Sequence, residues 1–240
     1  MRTRKELQPF RFKRFQVRHE RSAMKVGTDG VLLGAWCPAD DARRVLDVGT
    51  GCGLIALMVA QRAPQAQIIA VDIDAESAAE AGTNFLTSPW AGRLRAVCVD
   101  FNEMAFTPRS FDLIVSNPPF FINSLPAPDA ARSLARHAQS LSLSQLLGRS
   151  TELLKPDGVL SMITPSDLAP LVTEQAALAS LHVVRRCDVM SAAGGEKKRT
   201  LWNLSPCCSG CAVETLCITD AEGHYTDDYK ALTCDFYLNF

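Results

Sequence analysis

Short apolar segments alternate with longer helical ones between residues 43 and 181, and this alternation constrains the fold more than any other feature of the chain. Apolar runs bounded by turn signals predict five buried strands, at 43–49, 68–73, 94–100, 111–117 and 158–164. Helices are predicted between or after them, at about 53–63, 75–87, 140–154 and 166–181. Strands that alternate with helices form a parallel sheet through right-handed crossovers, so we expect a doubly wound α/β sheet.

The pattern changes after residue 181, where three strand-like segments follow one another with short connections. They are 182–190, 199–205 and 212–218. Such short connections predict at least one antiparallel hairpin, so the sheet should be mostly parallel with a C-terminal antiparallel strand. The link at 191–199 is rich in glycine and basic residues. Before the fifth strand, KPDG at 155–158 predicts a turn that ends the preceding helix.

Composition argues against several classes of protein. No apolar run is long enough to span a bilayer, and the N-terminus lacks the apolar core of a signal peptide, so we expect a cytoplasmic protein. The nine cysteines are odd in number and scattered among apolar runs, which favours reduced thiols over a disulfide framework. Cys208 and Cys211 form a C-x-x-C pair, but zinc sites usually need a second pair, so we expect no metal.

The charge is distributed unevenly along the chain. Residues 1–25 contain nine Lys or Arg and two Glu, whereas the remaining 215 residues carry a net charge of -8. A basic arm on an acidic body suggests a polyanionic partner, with Lys13 and Arg14 as candidate contacts. Apolar residues are interleaved with these charges: Phe10, Phe12, Phe15 and Val17. They either stack on bases or form the apolar side of a docked strand.

Ligand sites in doubly wound sheets lie at the carboxyl ends of the strands. The first strand ends in VLDVGTGCG, which contains Asp47, Gly49 and Gly51. Glycines in such a turn let the backbone approach a ligand closely, and a helix N-terminus follows. The second strand ends at Asp72, a carboxylate placed to accept hydrogen bonds from the hydroxyls of a ribose. Asp72 could instead cap the following helix, a role that is also open to Asp74.

Two further strand ends carry side chains suited to a ligand. In VDF, Asp100 is placed to accept a hydrogen bond from an adenine amino group, and Phe101 to form an apolar wall. The next strand ends in SNPPFF at 116–121, where two consecutive prolines donate no backbone hydrogen bond. Asn-Pro also occurs in ordinary turns. Four strand ends of this type, in this order, indicate a ligand site more specifically than any one of them.

The motifs VLDVGTGCG, VDID, VDF and SNPPF resemble those of class I S-adenosylmethionine-dependent methyltransferases of the Asn-Pro-Pro-aromatic subgroup. The stretch AMKVGTDGVLLGAW at 23–36 is more selective. With NPPFF, ARHAQSL and the ending YKALTCDFYLNF, it resembles the bacterial tRNA1(Val) (adenine-37-N6)-methyltransferase family, from about residue 8 to 240. The resemblance implies methylation of adenine N6 in tRNA. We expect a single methyltransferase domain at 26–240 after the basic arm at 1–25, and a monomer.

The chemistry of that reaction gives the Asn-Pro-Pro corner a role. An exocyclic adenine amine is a poor nucleophile because its lone pair is delocalised into the ring. The side-chain oxygen of Asn117 and the carbonyl of Pro118 can accept its two hydrogens, which favours a pyramidal nitrogen. The Pro-Pro pair holds that carbonyl rigidly, which is catalysis by positioning. Phe120 can stack on the base.

Further contacts are expected outside this corner. In KVGTDG at 25–30, Thr28 and Asp29 are expected near the methionine or adenosine part of the cofactor. The expected contacts with tRNA, beyond the arm, are Arg136, Lys197 and Lys198. His137 follows Arg136, and its role stays open.

Three alternatives to adenine methylation remain. Guanine-N2 methyltransferases of rRNA have similar NPPF motifs but often have His where this chain has Phe121. Methyltransferases of protein glutamine amides also use Asn-Pro-Pro-Tyr, although the basic arm and the EKKR loop favour RNA. A non-catalytic RNA-binding module is the third alternative; such proteins usually lose the amide or the glycine turn, and both are intact here.

Overall fold

Residues 8–22, 24–118 and 141–240 are described by a computed structural model, in which helices pack against a central sheet. The strands are β1 (Phe10–Arg11), β2 (Gln16–Val17), β3 (Arg44–Val48), β4 (Gln67–Asp72), β5 (Leu94–Cys98), β6 (Phe111–Ser116), β7 (Leu154–Pro165), β8 (His182–Ala192), β9 (Lys197–Ser205) and β10 (Ala212–Thr219). The α-helices are α1 (Thr28–Trp36), α2 (Leu54–Arg62), α3 (Ala75–Leu86), α4 (Leu143–Leu153), α5 (Ala169–Leu178) and α6 (Asp227–Thr233). Two short 3-10 helices lie at Ala91–Arg93 and Ser166–Leu168.

Eight of these strands form one sheet in the order β10-β8-β9-β7-β6-β3-β4-β5. Within the group β3 to β7, every pair of neighbouring strands is parallel, and β10 is parallel to β8. Strand β9 runs antiparallel to both β7 and β8. The expected mostly parallel sheet with an antiparallel strand near the C-terminus is therefore confirmed, and that strand is inserted between β7 and β8.

The prediction of a separate turn at 155–158 is wrong, because this stretch lies inside β7. Leu154 pairs with Phe111 and Val159 pairs with Leu113, so extra residues of β7 bulge out between the two pairs. The bulge brings Gly158 against the neighbouring strand, where a Cβ atom would lie 2.8 Å from the carbonyl oxygen of Phe111. Glycine at this position is what allows the close approach.

Hydrophobic side chains cover both faces of the sheet. Val45 belongs to a cluster that includes α1, α2 and α3, whereas Leu46 belongs to a cluster that includes α4 and α5. Successive residues of a strand point to opposite faces, so the two clusters lie on the two sides of the sheet. This arrangement leaves the carboxyl ends of the strands as the edge where loops can form a site. Within the described part of the chain, every helix is too short or too polar to cross a lipid bilayer.

The described part of the basic arm is docked on the body of the protein. Strands β1 and β2 pair as a small antiparallel hairpin, and Phe12, Phe15 and Val17 are buried. The Phe12 and Phe15 rings stack with centroids 4.6 Å apart, and Phe15 meets Trp90 edge-on at 5.7 Å. The interpretation of these apolar residues as one side of a docked strand is the one the structure shows. Phe12 and Phe15 are too buried to stack on bases.

Candidate active site

A cavity of about 1440 Å³ opens at the carboxyl ends of β3, β4 and β6. It brings together most of the residues that the sequence singles out, although they lie far apart in the chain. Its lining includes Thr28, Asp29, Gly49, Gly51, Asp72, Asp100, Phe101, Asn117 and Pro118. Two of the expected site residues, Phe120 and Arg136, lie outside the described residues, as does His137.

The glycine turn between β3 and α2 adopts a backbone conformation that favours glycine. Gly49 and Gly51 have φ angles of 71° and 56°, in the left-handed region. A Cβ atom at either position would meet no atom within 4 Å, so the turn presents bare backbone to open space. Gly53 differs, because its Cβ would lie 2.6 Å from the ring of Phe85. The first two glycines thus shape the site, and the third lets α2 and α3 pack closely.

Asp47 lies behind this turn and is not part of the cavity lining. Its Oδ2 accepts hydrogen bonds from the Thr50 hydroxyl at 2.7 Å and the Ala56 N–H at 3.2 Å, which fixes the turn to α2. Burial raises the pKa of Asp47 to about 7. Its Oδ1 is buried and has no hydrogen-bond partner among the described residues. Asp47 therefore holds the glycine turn in place from behind the cavity.

Asp72 joins the end of β4 to the glycine turn. Its Oδ2 accepts the Gly51 N–H at 2.8 Å and its Oδ1 accepts the Asp74 N–H at 2.9 Å. Burial raises the pKa of Asp72, and these two N–H groups act against that rise. The cap of α3 is Asp74, which accepts the Ser77 N–H at 2.8 Å. Asp72 is therefore not the helix cap, and it lines the cavity with acceptor capacity to spare.

The next strand end contributes a polar and an apolar side chain. Asp100 is half-buried, and its Oδ1 accepts both the N–H of Asn102 at 2.8 Å and that residue's side-chain nitrogen at 3.1 Å. Phe101 is only 4% exposed and packs in the cluster that includes α4 and α5. Phe101 therefore lines the cavity with a small part of its surface, while most of its ring belongs to the core.

Asn117 and Pro118 follow β6 directly. Pro118 is buried and Asn117 is half-buried. The preceding residue, Ser116, donates its hydroxyl to the carbonyl of Val48 at 2.8 Å. This bond fastens the end of β6 to the end of β3, so the amide of Asn117 is presented from a fixed strand end beside the glycine turn.

Thr28 and Asp29 begin α1 at the mouth of the cavity. Asp29 also forms an ion pair that the sequence does not reveal, since its Oδ2 lies 2.8 Å from Nε of Arg199 at the start of β9. Several other residues of the cavity lining are not singled out from the sequence, among them Arg21, Met24 and Arg199. Arg21 and Met24 follow the docked hairpin, and their place at the cavity depends on contacts distant in sequence.

The basic residues expected to contact RNA differ in whether they line the cavity and in which groups of the protein they already bind. Lys198 lines the cavity, and its ammonium lies 3.0 Å from exposed Glu196. Lys197 pairs with buried Asp188 at 2.6 Å. Lys13 donates its ammonium to the main-chain oxygens of Cys234 at 2.6 Å and Phe240 at 2.8 Å, which ties the arm to the C-terminal segment.

Arg14 is exposed, and its guanidinium carbon lies 5.7 Å from the centre of the Trp90 ring. Among the described residues, no group of three or more His, Cys, Asp or Glu is arranged to hold a metal ion. Cys208 and Cys211 are exposed free cysteines.

Solved structures with the same fold are methyltransferases. A predicted O-methyltransferase from Agrobacterium tumefaciens superposes with a TM-score of 0.69 at 17% identity, over 87% of this chain and 96% of that one. A putative methyltransferase complexed with the Trm112 activator of Haloferax volcanii gives a TM-score of 0.55 at 15% identity, over 74% of this chain and 88% of that one. At these identities the likeness concerns the fold alone.

Sequence comparison is more specific. Residues 22–187 match the Methyltransferase small domain family. The tRNA1(Val) (adenine(37)-N6)-methyltransferase of Bacteroides thetaiotaomicron is 45% identical over 231 residues, covering 96% of this chain and 97% of that protein. The protein of the same name from Aeromonas hydrophila is 44% identical over 95% of this chain and 97% of its own. The chain therefore belongs to the Methyltransferase small domain family and, within it, to the tRNA1(Val) (adenine(37)-N6)-methyltransferases.

Proposed function

We propose that this protein transfers a methyl group from S-adenosylmethionine to the N6 amine of adenine 37 in tRNA1(Val). The observation that carries the proposal is the placement of Asn117 and Pro118 on the same cavity as the glycine turn and Asp72. The relatives at 40–45% identity that bear the corresponding name support the choice of nucleotide.

S-adenosylmethionine is the cofactor of this family, and it supplies an electrophilic methyl group on a sulfonium. The residues present fit such a group. Bare backbone at Gly49 and Gly51 leaves room for it, and Asp72 offers acceptors for ribose hydroxyls. Asp100 would accept from the adenine amino group, and Phe101 would form the wall beside it.

The role of Asn117 and Pro118 is to hold the target amine. The Asn117 side-chain oxygen and the Pro118 carbonyl would accept its two hydrogens, and the nitrogen lone pair would then point away from the ring plane. Because the methylated nitrogen is cationic, it loses a proton readily to water and no strong general base is required. Stacking of the base on Phe120 would contribute on the order of 1–3 kcal/mol.

The size of the cavity suits two ligands. Ligand pockets commonly occupy about 300–1,000 Å³, and this cavity is larger at about 1440 Å³. A target base must leave its stack to enter such a site, which is easiest from a single-stranded loop.

We also propose that the domain at 26–240 acts as a cytoplasmic monomer without a metal, and that the arm at 1–25 contacts the tRNA. Arg136, Lys197 and Lys198 would extend that contact.

Transfer of tritiated methyl groups tests the proposal against its alternatives. The purified protein is incubated with labelled S-adenosylmethionine and either total tRNA or rRNA, and the RNA is digested to nucleosides. We expect label in N6-methyladenosine from tRNA. Label in N2-methylguanosine from rRNA would favour the guanine alternative, and no transfer to any RNA would favour the non-catalytic module.

If the basic arm contacts tRNA phosphates, removal of its positive charge should lower the affinity for every tRNA equally. Because the ammonium of Lys13 holds the C-terminal segment, the cleaner substitution is Arg14→Glu. We expect it to weaken binding of cognate and non-cognate tRNA equally, because phosphate contacts carry no sequence information. A plot of log affinity against log salt concentration has a negative slope, and this slope should become less steep by about 1 or more. Salt titrations of tRNA binding measure both quantities.

The matched control is Arg43→Glu. Arg43 is exposed and precedes β3 at the opposite edge of the sheet from the cavity. It should leave RNA affinity and S-adenosylmethionine affinity unchanged. Equal slopes and affinities for Arg14→Glu and the parent would show that Arg14 makes no phosphate contact.

A further inference from the structure

Two buried polar side chains on α3 hold residues 18–22 against the helix. Glu80 is 5% exposed and Asn84 is 1% exposed, although both residue types are usually found at the surface. They are four residues apart, so they lie on the same face of the helix. We call residues 18–22 the anchored segment and residues 24–27 the rim segment.

Glu80 binds three consecutive backbone N–H groups of the anchored segment. Its Oε1 accepts from Glu20 at 2.6 Å and from Arg21 at 3.0 Å, and its Oε2 accepts from Ser22 at 2.8 Å. Burial alone would raise the pKa of Glu80, but the N–H groups of Arg21 and Ser22 bring that pKa below its ordinary value. Glu80 therefore serves as a charged acceptor for backbone that has no strand partner.

Asn84 connects the anchored segment to the glycine turn. Its Oδ1 accepts the Arg18 N–H at 2.9 Å, and its Nδ2 donates to the Arg18 carbonyl at 2.8 Å. The same Nδ2 donates to the carbonyl of Cys52 at 2.8 Å, and Cys52 lies within the glycine turn and lines the cavity. One side chain thus joins two segments that are distant in sequence and border one site.

The rim segment is folded back on the anchored segment. The Lys25 ammonium donates to the carbonyls of His19 at 2.5 Å and Glu20 at 3.1 Å, and the Val26 N–H donates to His19 Nδ1 at 3.1 Å. Met24, Lys25 and Gly27 line the cavity. The position of this wall of the cavity therefore depends on the anchored segment, and through it on Glu80 and Asn84.

We propose that Glu80 and Asn84 are positioning residues for the cofactor, which hold the rim segment as one wall of the S-adenosylmethionine site. The inference rests on the proposed function for the identity of the ligand. It assigns to two residues outside the cavity lining an effect on cofactor affinity. Since Asn117 and Pro118 are carried by β6, the effect should fall on binding and spare the chemical step.

Calorimetry with S-adenosylmethionine compares the parent with Glu80→Ala, Glu80→Gln and the control Glu174→Gln, an exposed glutamate on α5. We expect Glu80→Ala to bind about tenfold more weakly, because three backbone donors lose their acceptor. Glu80→Gln keeps one side-chain oxygen and should lie between Glu80→Ala and the parent. At saturating S-adenosylmethionine, kcat should stay within about twofold of the parental value. The weaker binding should then appear as a higher KM for S-adenosylmethionine.

Amide hydrogen exchange of the cofactor-free proteins gives a readout independent of activity. Residues 20–22 should exchange faster in both Glu80 variants, while β3 and β6 stay protected as in the parent. If Glu80→Ala does not fold, Glu80→Gln carries the test alone, with an expected affinity loss of about threefold.

Two results would overturn the inference while leaving the proposed function intact. Faster exchange or a lower melting temperature with parental cofactor affinity would mean that Glu80 only stabilises the fold. A fall in kcat as large as the rise in KM would mean that the effect is not confined to binding. Failure of the parent itself to bind S-adenosylmethionine would instead reject the proposed function, and this inference with it.

Discussion

Replacement of Asn117 by alanine is expected to lower kcat for methyl transfer by on the order of 10²- to 10³-fold. Removal of a single preorganised polar group that acts on the reacting atoms has effects of this size in other enzymes. Asn117 offers the side-chain oxygen that would accept one hydrogen of the target amine, and β6 fixes its position through the bond from Ser116 to Val48. Affinity for S-adenosylmethionine should change little, because the interaction belongs mainly to the transition state.

Single-turnover kinetics and calorimetry on the same preparation measure the two quantities separately. The matched control is Asn239→Ala, which removes an exposed asparagine near the C-terminus and should leave kcat unchanged. Full activity of Asn117→Ala would rule out the proposed role. A large fall in melting temperature that accounted for the lost activity would support the simpler interpretation of Asn-Pro as a turn.

Replacement of Asp72 by alanine is expected to weaken S-adenosylmethionine binding by roughly 5- to 150-fold, equivalent to about 1–3 kcal/mol. The variant would leave ribose hydroxyls without an acceptor in a partly buried site. It would also release the N–H groups of Gly51 and Asp74, which Asp72 now accepts at 2.8 and 2.9 Å. Both changes disfavour the bound state, and calorimetry measures their combined effect.

Asp74→Ala provides a comparison within the same loop, because Asp74 also lines the cavity but its Oδ2 is occupied by the N–H and the hydroxyl of Ser77. Asp74 caps α3, and loss of a cap typically costs about 1 kcal/mol of stability. We therefore expect a lower melting temperature but nearly parental cofactor affinity for this variant. If Asp74→Ala weakened binding as much as Asp72→Ala, a general loosening of the loop would explain both results and the specific role of Asp72 would be wrong.

The parts of the site that the sequence predicts are those set by local pattern and topology. Carboxyl ends of parallel strands meet at one edge, so the sequence alone predicts that Asp72, Asp100 and Asn117 lie close together. The left-handed φ angles of Gly49 and Gly51 follow from the same reasoning, since a turn that approaches a ligand closely needs glycine.

The parts that escape prediction depend on contacts between distant segments. Nothing near Lys13 in the sequence indicates that its ammonium binds main-chain oxygens at the other end of the chain. From the sequence, Glu80 cannot be distinguished from an ordinary exposed glutamate of a helix, because the N–H groups that it binds lie about 60 residues earlier. The bulge in β7 is hidden for a related reason, since KPDG has turn chemistry and lies within a strand only because its neighbours Leu154 and Val159 pair with β6.

The most direct test of the account uses two transcripts of tRNA1(Val) that differ only at position 37. One has adenine there and the other has guanine, and each is incubated with the protein and labelled S-adenosylmethionine. The account predicts that the adenine transcript acquires one methyl group, recovered as N6-methyladenosine after digestion, and that the guanine transcript remains unlabelled. Equal labelling of both transcripts, or label recovered as methylguanosine, would contradict it.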